Sequence, residues 1–252
     1  MTRPAWDDKV ESLDDLILGG FKIIQPRQGY RFSLDAVLLA HFPDLHNINT
    51  AIDLGTGNGV IPLLLACRKP TLNITGIEIQ EEMVKRAQRS IIMNGAEKRI
   101  AVKCVDIRVI PACLPARQAE LITCNPPFWR EGEGQLSRNR EAATARHEIE
   151  VKLMDIISAA AHLLQPRGRL AMINRVVRLQ EIRQAYAACN FTMTRIRMVQ
   201  SFPAEEAKLV LIEGALGGDG HVLEEPPLVV YQSPGIYSRE ISAIYAAALE
   251  RG

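Results

Sequence analysis

Apolar and polar positions along this chain fall into alternating blocks. Short apolar runs at Thr50–Leu54, Leu72–Ile77, Ile100–Val105, Ala119–Cys124 and Arg169–Asn174 have the length of buried strands. Between them lie stretches with a helical period. Val60–Arg68 is one, with Pro62 tolerated in its first turn. Gln80–Asn94 is another, with Met83, Val84, Ala87 and Ile91 on one stripe and Gly95 as its stop. Ile149–Leu164 carries Leu153, Ile156, Ile157, Ala160 and Leu164, and ends before Pro166 and Gly168. Val176–Cys189 reads as a further helix, and Phe191–Val199 with Lys208–Glu213 as a final strand pair. Strands and helices in this alternation predict an α/β fold with a doubly wound, mostly parallel, seven-stranded sheet. Its last strand is expected to be antiparallel.

The ends of the chain are less regular. Residues 1 to 15 are polar and expected to fray, and Leu16–Arg31 suggests a short hairpin or irregular strands. Phe32–Phe42 looks helical, with Ser33 or Asp35 as cap and Leu34, Val37, Leu38 and His41 as a stripe. The tail holds Pro226-Pro227, then Val229-Val230-Tyr231, and a short helix from Ser238. Residues 1–47 are expected to form an extension and 48–252 the main body, effectively one domain.

Composition narrows the class. The chain has 252 residues, 47% of them hydrophobic and 23% charged, enough for a full core. A net charge of +1 gives no global field for polyanions, so any nucleic-acid surface must be local. The five cysteines form no CxxC pair, which argues against a zinc site or disulfide framework and fits the cytoplasm. The acidic start MTRPAWDDKVESLDD lacks an apolar core of a signal peptide, and no apolar run approaches the roughly 20 residues of a membrane span.

The first strand runs into Gly55-Thr56-Gly57-Asn58-Gly59 and then a helix. Strand, glycine turn and helix N-terminus form a ligand cradle, because glycines let the backbone come close and N–H groups point at what sits there. The dinucleotide fingerprint needs glycine where this chain has Val60, whereas the D-x-G-x-G-x-G form beginning at Asp53 fits an S-adenosylmethionine loop. Glu78 ends the next strand about 20 residues on, the spacing at which an acid accepts ribose hydroxyls. Asp106 closes the third strand and suits either the adenine amino group or a loop cap.

Asn125-Pro126-Pro127-Phe128 follows the fourth strand. Two prolines lack N–H groups and fix φ, so the chain is held extended just past a strand end, where open α/β sheets bind ligands. Asn125 Oδ1 and the Pro126 carbonyl can each accept an N–H of a planar amino group, and Phe128 can stack on its ring. That arrangement suits methyl transfer to an amino nitrogen.

Trp129–His147 is rich in glycine and charge and reads as a loop beside this site, with Arg138, Arg140, Arg146 and His147 as candidate phosphate contacts. From Gln165 to Arg197 seven arginines (167, 169, 175, 178, 183, 195, 197) stand against one acid, Glu181, a pattern that suits either an RNA track or a solvated face. His162 reads as a packing or surface residue.

DLGTGNG at 53–59, Glu78 and NPPF at 125–128 resemble the class I amino methyltransferases of bases and glutamine side chains. FKIIQPRQGYRFSLDAVLLAHF at 21–42, ARHE at 145–148 and PPLVVYQSPGIYSREI at 226–241 are similar to the tRNA adenine-N6 methyltransferases that modify the adenine beside the anticodon of a valine tRNA. The resemblance implies a Rossmann-like fold, S-adenosylmethionine as donor and RNA, namely tRNA, as partner. It implies that Asp53, Gly55, Thr56, Gly57, Glu78, Asp106 and Asn125 bind the donor. Arg31, Ser33 and Asp35 would close over its methionine end, so that residues 1–47 pack on the donor site. Asn125, Pro126, Pro127 and Phe128 would hold the target. Other acceptors stay open: a protein glutamine, a guanine N2 of ribosomal RNA, or none, in a silent RNA-binding protein.

Overall fold

The computed structural model describes residues 6–16, 20–28, 31–126 and 151–246. Its centre is an eight-stranded sheet. In chain order the strands are β3 (Thr50–Leu54), β4 (Asn73–Glu78), β5 (Ile100–Cys104), β6 (Ala119–Cys124), β7 (Leu164–Arg175), β8 (Phe191–Gln200), β9 (Leu209–Leu216) and β10 (Leu223–Val229). Across the sheet they run β10-β8-β9-β7-β6-β3-β4-β5. Every neighbouring pair is parallel except those made by β9, which is antiparallel to both β7 and β8.

The sheet therefore has one strand more than the seven expected. β10 contains Pro226 and Pro227, and its register to β8 shifts between Glu225 and Leu228, around them. Prolines donate nothing to a ladder, so such a strand is tolerated only at an edge with an irregularity. β7 also starts earlier than expected, directly after a helix, with its pairing to β6 slipping between Ala119 and Leu121.

Strand alternation sends side chains to two cores. Ala51, Leu121, Ala171 and Ile173 join one cluster with α1 (Leu34–His41), α2 (Val60–Arg68) and α3 (Glu81–Met93). Ile52, Ile122, Leu170 and Met172 join the other. That second cluster is covered by the short α4 (Ile110–Cys113), α5 (Leu153–Leu163) and α6 (Leu179–Ala188). The tail helix α7 (Arg239–Ala246) follows a small two-stranded ribbon, β11 (Tyr231–Ser233) and β12 (Ile236–Tyr237).

The polar start of the chain is not frayed throughout. Glu11–Asp15 forms β1, antiparallel to β2 (Lys22–Pro26). The fully buried Ile23 and Ile24 give this hairpin its apolar anchor. Helix α3 supplies the partners a neighbouring strand would otherwise give. Asn94 Oδ1 accepts the Lys22 N–H at 2.8 Å, Asn94 Nδ2 donates to the Lys22 carbonyl at 2.7 Å, and Ser90 Oγ accepts the Ile24 N–H at 3.0 Å. The loop after α1 is held by cations: Arg68 donates to the Pro43 carbonyl, Lys69 to Leu45 and Ile48, Arg169 to Asp44 and Arg195 to Phe42.

Candidate active site

β6 lies between β3 and β7, so Asn125 leaves the carboxyl edge at the centre of the sheet. The glycine loop leaves the same edge from β3. Gly55 and Gly59 take φ of +70° and +86°, which glycine adopts without strain. The Gly55 and Thr56 N–H groups donate to the Ile77 carbonyl at 2.9 and 3.0 Å, tying the loop to β4. A Cβ at Gly55 would meet nothing within 4 Å, so this glycine opens on to free space.

A cleft joins these elements. It is lined by Phe32 and Ala36, by Gly55, Gly57 and Asn58 of the loop, and by Asn125, with Val60 and Ile61 at the start of α2. Thus the loop and Asn125 share one cavity. Phe32 and Asn58 were not singled out by sequence. The position of Asn58 between two glycines was the available signal, and Phe32 carried none beyond its place before a helix.

Asp53 is fully buried at the tip of β3. Its Oδ1 accepts the Thr123 hydroxyl of β6 at 2.7 Å, while its Oδ2 has no partner. Burial pushes its pKa up to about 7, with the negative Glu78 nearby adding to the shift and the Thr123 and Thr56 hydroxyls opposing it. The Thr56 hydroxyl, though close enough to act on the Asp53 carboxyl, makes no hydrogen bond of ordinary geometry, and the buried Asn58 Nδ2 makes none either. Unpaired buried polar atoms are uncommon, and two of these residues, Thr56 and Asn58, line the cleft.

Glu78 is buried and engaged by main chain. Its Oε2 accepts the Gly57 N–H at 2.9 Å, and its Oε1 accepts those of Ile79 and Gln80, both at 2.9 Å. The carboxylate is thereby fixed against the loop, with lone pairs left for hydroxyls. Asp106 is committed closer to home. It accepts the Arg108 N–H at 2.9 Å and a fork from the Arg108 guanidinium, down to 2.6 Å, which lowers its pKa. Of its two expected uses, the loop cap is realised.

The residues before and in α1 divide. Arg31 turns to the hairpin, donating to Ser12 Oγ at 2.8 Å, the Pro26 carbonyl at 3.2 Å and Asp14 at 2.5 Å. Asp35 is half-buried, its pKa raised by burial and countered by a hydrogen bond from Ser33. Gln25, almost fully buried, accepts the Phe32 N–H at 2.8 Å and donates to Asp14, so the hairpin sets the wall residue Phe32. Asn125 is half-buried and Pro126 buried. Pro127, Phe128, Arg138, Arg140, Arg146 and His147 lie outside the described residues.

Four of the seven arginines between 165 and 197 are paired with acids. Arg169 and Arg195 flank the buried Glu213 at 3.2 and 3.8 Å. Arg195 also pairs with Glu225 at 2.8 Å and packs 4.2 Å above the Phe42 ring. Arg197 forks on to Glu240 at 2.6 and 2.8 Å, and Arg178 on to Glu181 at 2.7 and 2.9 Å. His162, as expected, does packing work, bonding the Leu114 carbonyl at 2.9 Å. Among the described residues no group of three His, Cys, Asp or Glu could hold a metal, and no helix is long and apolar enough to cross a membrane.

Known proteins resemble this chain in sequence and in fold. A tRNA1(Val) (adenine(37)-N6)-methyltransferase of Porphyromonas gingivalis is 30% identical over 229 residues, covering 87% of this chain and 89% of its own. One of the same name from Tolumonas auensis is 28% identical over 225 residues, 89% of this chain and 92% of its own. In fold, the chain matches the crystal structure of a predicted O-methyltransferase from Agrobacterium tumefaciens with a TM-score of 0.68 at 22% identity, over 85% of this chain and 96% of that one. The family model described as methyltransferase small domain matches residues 34–195, which run from α1 through the glycine loop and Asn125 into β8. The glycine loop, the central strand and every residue lining the cleft except Phe32 fall inside that match, and the chain belongs to the methyltransferase small domain family.

Proposed function

We propose that this enzyme transfers a methyl group from S-adenosylmethionine to the N6 amino group of an adenine in a tRNA anticodon loop. The observation that carries it is the shared cleft: Asn125 and the glycine loop line one cavity. The names of the full-length relatives supply the substrate class.

Bound there, S-adenosylmethionine supplies a methyl already activated by its sulfonium, so the protein's task is placement. In this reading Gly55, Thr56 and Gly57 lie along the donor, with Asp53 and the start of α2 beneath it. Glu78 accepts ribose hydroxyls, and Asp106 borders the adenine. The segment before β3 forms the opposite wall through Phe32 and Ala36, with Arg31, Ser33 and Asp35 at the methionine end.

An exocyclic amino group is a weak nucleophile because its lone pair is delocalised into the ring. Asn125 Oδ1 accepts one of its N–H groups and the Pro126 carbonyl the other. That pair of acceptors favours a pyramidal nitrogen and turns its lone pair toward the methyl. Phe128 gives the base a stacking face and Pro127 stiffens the turn. Arg138, Arg140, Arg146 and His147 meet the RNA backbone. Such an enzyme works in the cytoplasm, where tRNA is.

The test is radiolabelled methyl transfer to unmodified total tRNA, followed by nucleoside mass spectrometry. N6-methyladenosine is expected. Label in N2-methylguanosine or in protein glutamine, or no transfer, would overturn the reading.

A further inference from the structure

Among the described residues, four buried side-chain atoms lack a hydrogen-bond partner: Asp53 Oδ2, Thr56 Oγ1, Asn58 Nδ2 and Asn174 Nδ2. Three belong to β3 and its glycine loop. The fourth stands apart from them, yet at the same edge of the sheet. Because β6 lies between β3 and β7, these atoms flank Asn125 on its two sides. The β3 side is the donor side. Nothing in the donor site accounts for Asn174.

Its position follows from register. Cys124, the last residue of β6, pairs with Met172 of β7, so Asn174 stands two residues beyond that pair, at the edge from which Asn125 and Pro126 leave the sheet. Adjacent strands lie about 4.8 Å apart. By strand alternation Asn174 shares the face of Leu170 and Met172, which Ile122 and Cys124 of β6 also share. Asn174 has no exposed surface. Its Oδ1 accepts the Arg175 N–H at 2.8 Å, which fixes the amide plane and leaves Nδ2 as the free end. A buried NH2 without an acceptor costs stability, and an apolar residue of the same size would not. Such a group is retained when its partner arrives with a ligand.

We infer that Asn174 is a second amide of the acceptor pocket, whose Nδ2 donates to a ring nitrogen of the purine that carries the target amino group. The inference rests on the adenine reading above. In adenine N1 and N7 flank the 6-amino group, and both carry lone pairs and can accept. In guanine the 2-amino group has N1–H on its Watson–Crick side, which another donor would oppose, and an acceptor, N3, only on its other side. Asn125 would accept from the amino group while Asn174 donates to its neighbour, so on the Watson–Crick edge the two amides together favour adenine.

The test uses the full chain, S-adenosylmethionine and an unmodified tRNA transcript as methyl acceptor. Asn174→Asp keeps an oxygen for the Arg175 N–H and removes the donor. Asn174→Leu removes the unpaired group altogether. Both are expected to lower kcat/KM for the transcript by about 10- to 100-fold, with S-adenosylmethionine affinity within about twofold of wild type. Asn174→Leu loses the Oδ1 acceptor of the Arg175 N–H together with the unpaired amide end, so the two effects offset and Tm is expected to fall by no more than a few degrees while kcat/KM falls. Transcripts made with 7-deazaadenosine or 1-deazaadenosine identify the accepting nitrogen: one of them should slow the wild type and leave Asn174→Leu without further loss. Wild-type rates in both variants would overturn the inference, as would loss of Tm and donor affinity together. A wild-type protein that methylates no tRNA would instead sink the substrate reading, and the role of Asn174 with it.

Discussion

Glu11 and Arg86 join the first strand to the glycine loop. Glu11 Oε1 lies 3.0 Å from Arg86 Nε, and the same guanidinium reaches Asn58 Oδ1 at 3.3 Å through Nη1. Arg89 completes the clamp on Glu11 at 2.5 and 2.7 Å. These hydrogen bonds, Arg89's first, hold the Glu11 pKa down to about 2. The carboxylate is 5% exposed, so water screens the pair little.

Glu11→Gln should therefore cost about 3 kcal/mol at pH 7 in urea unfolding. A folded pKa below the unfolded one contributes stability at neutral pH that is lost as pH falls from about 4.5 toward 2. Wild type and variant should converge along that acid limb. Parallel curves between pH 7 and 3 would show that the clamp is not the source.

Asp53 titrates the other way. Its folded pKa of about 7 lies above the ordinary 3.8, so it contributes stability at acid pH that is lost between about pH 4 and 7. A cationic donor favours the ionised carboxylate. S-adenosylmethionine affinity should then rise as pH passes through 7 and level off above it, with proton release in calorimetry. Asp53→Asn should bind more weakly with a flat profile. A flat wild-type profile would remove Asp53 from the donor's field.

These couplings explain what could be read beforehand and what could not. The parallel strands and the glycine loop were legible because their signals are local: apolar runs of strand length and glycines at fixed spacing. β1 was not, because its strand is polar and Glu11 meets its arginine 75 residues away. β10 was hidden by Pro226 and Pro227, which argue against a ladder everywhere except at an irregular edge. The stretch from 165 to 197 looked like surplus positive charge because the acids that pair with it, Glu213, Glu225 and Glu240, come later in the chain. Asn174 gave no signal at all, since its meaning lies in an unpaired atom on a strand next to Asn125.

Arg195→Ala tests the reassignment of those arginines. It removes contacts to Glu213, Glu225, the Phe42 carbonyl and the Phe42 ring, and leaves the buried Glu213 to Arg169 alone. A loss of about 2–4 kcal/mol is expected, from an uncompensated buried charge and lost packing. The salt dependence of tRNA binding should stay as in wild type, because no phosphate contact is removed. A shallower salt slope would return Arg195 to the RNA surface.

In the proposed reaction Asn125→Ala removes an acceptor that acts mainly in the transition state. Turnover should fall by about 100-fold or more while S-adenosylmethionine affinity stays near wild type. Asn125 lines the donor cleft, so affinity is the control that matters. Equal loss of both would make the residue part of the cleft wall rather than of the chemistry.

Gly76, in the middle of β4, packs against Thr56 of the glycine loop. A Cβ there would lie 2.7 Å from Thr56 Cγ2 and 3.0 Å from its Oγ1. Thr56 cannot retreat freely, because its N–H donates to the Ile77 carbonyl at 3.0 Å. Gly76→Ala should thus push the loop toward the cleft, costing about 1–3 kcal/mol of stability from overpacking. S-adenosylmethionine affinity should fall with it, by about tenfold, since a small displacement of positioning groups is felt strongly. Adding Thr56→Ser deletes Cγ2, the nearer clash, and should recover part of both losses. If affinity drops while stability holds, and the serine restores nothing, the glycine matters for some reason other than the room it leaves for Thr56.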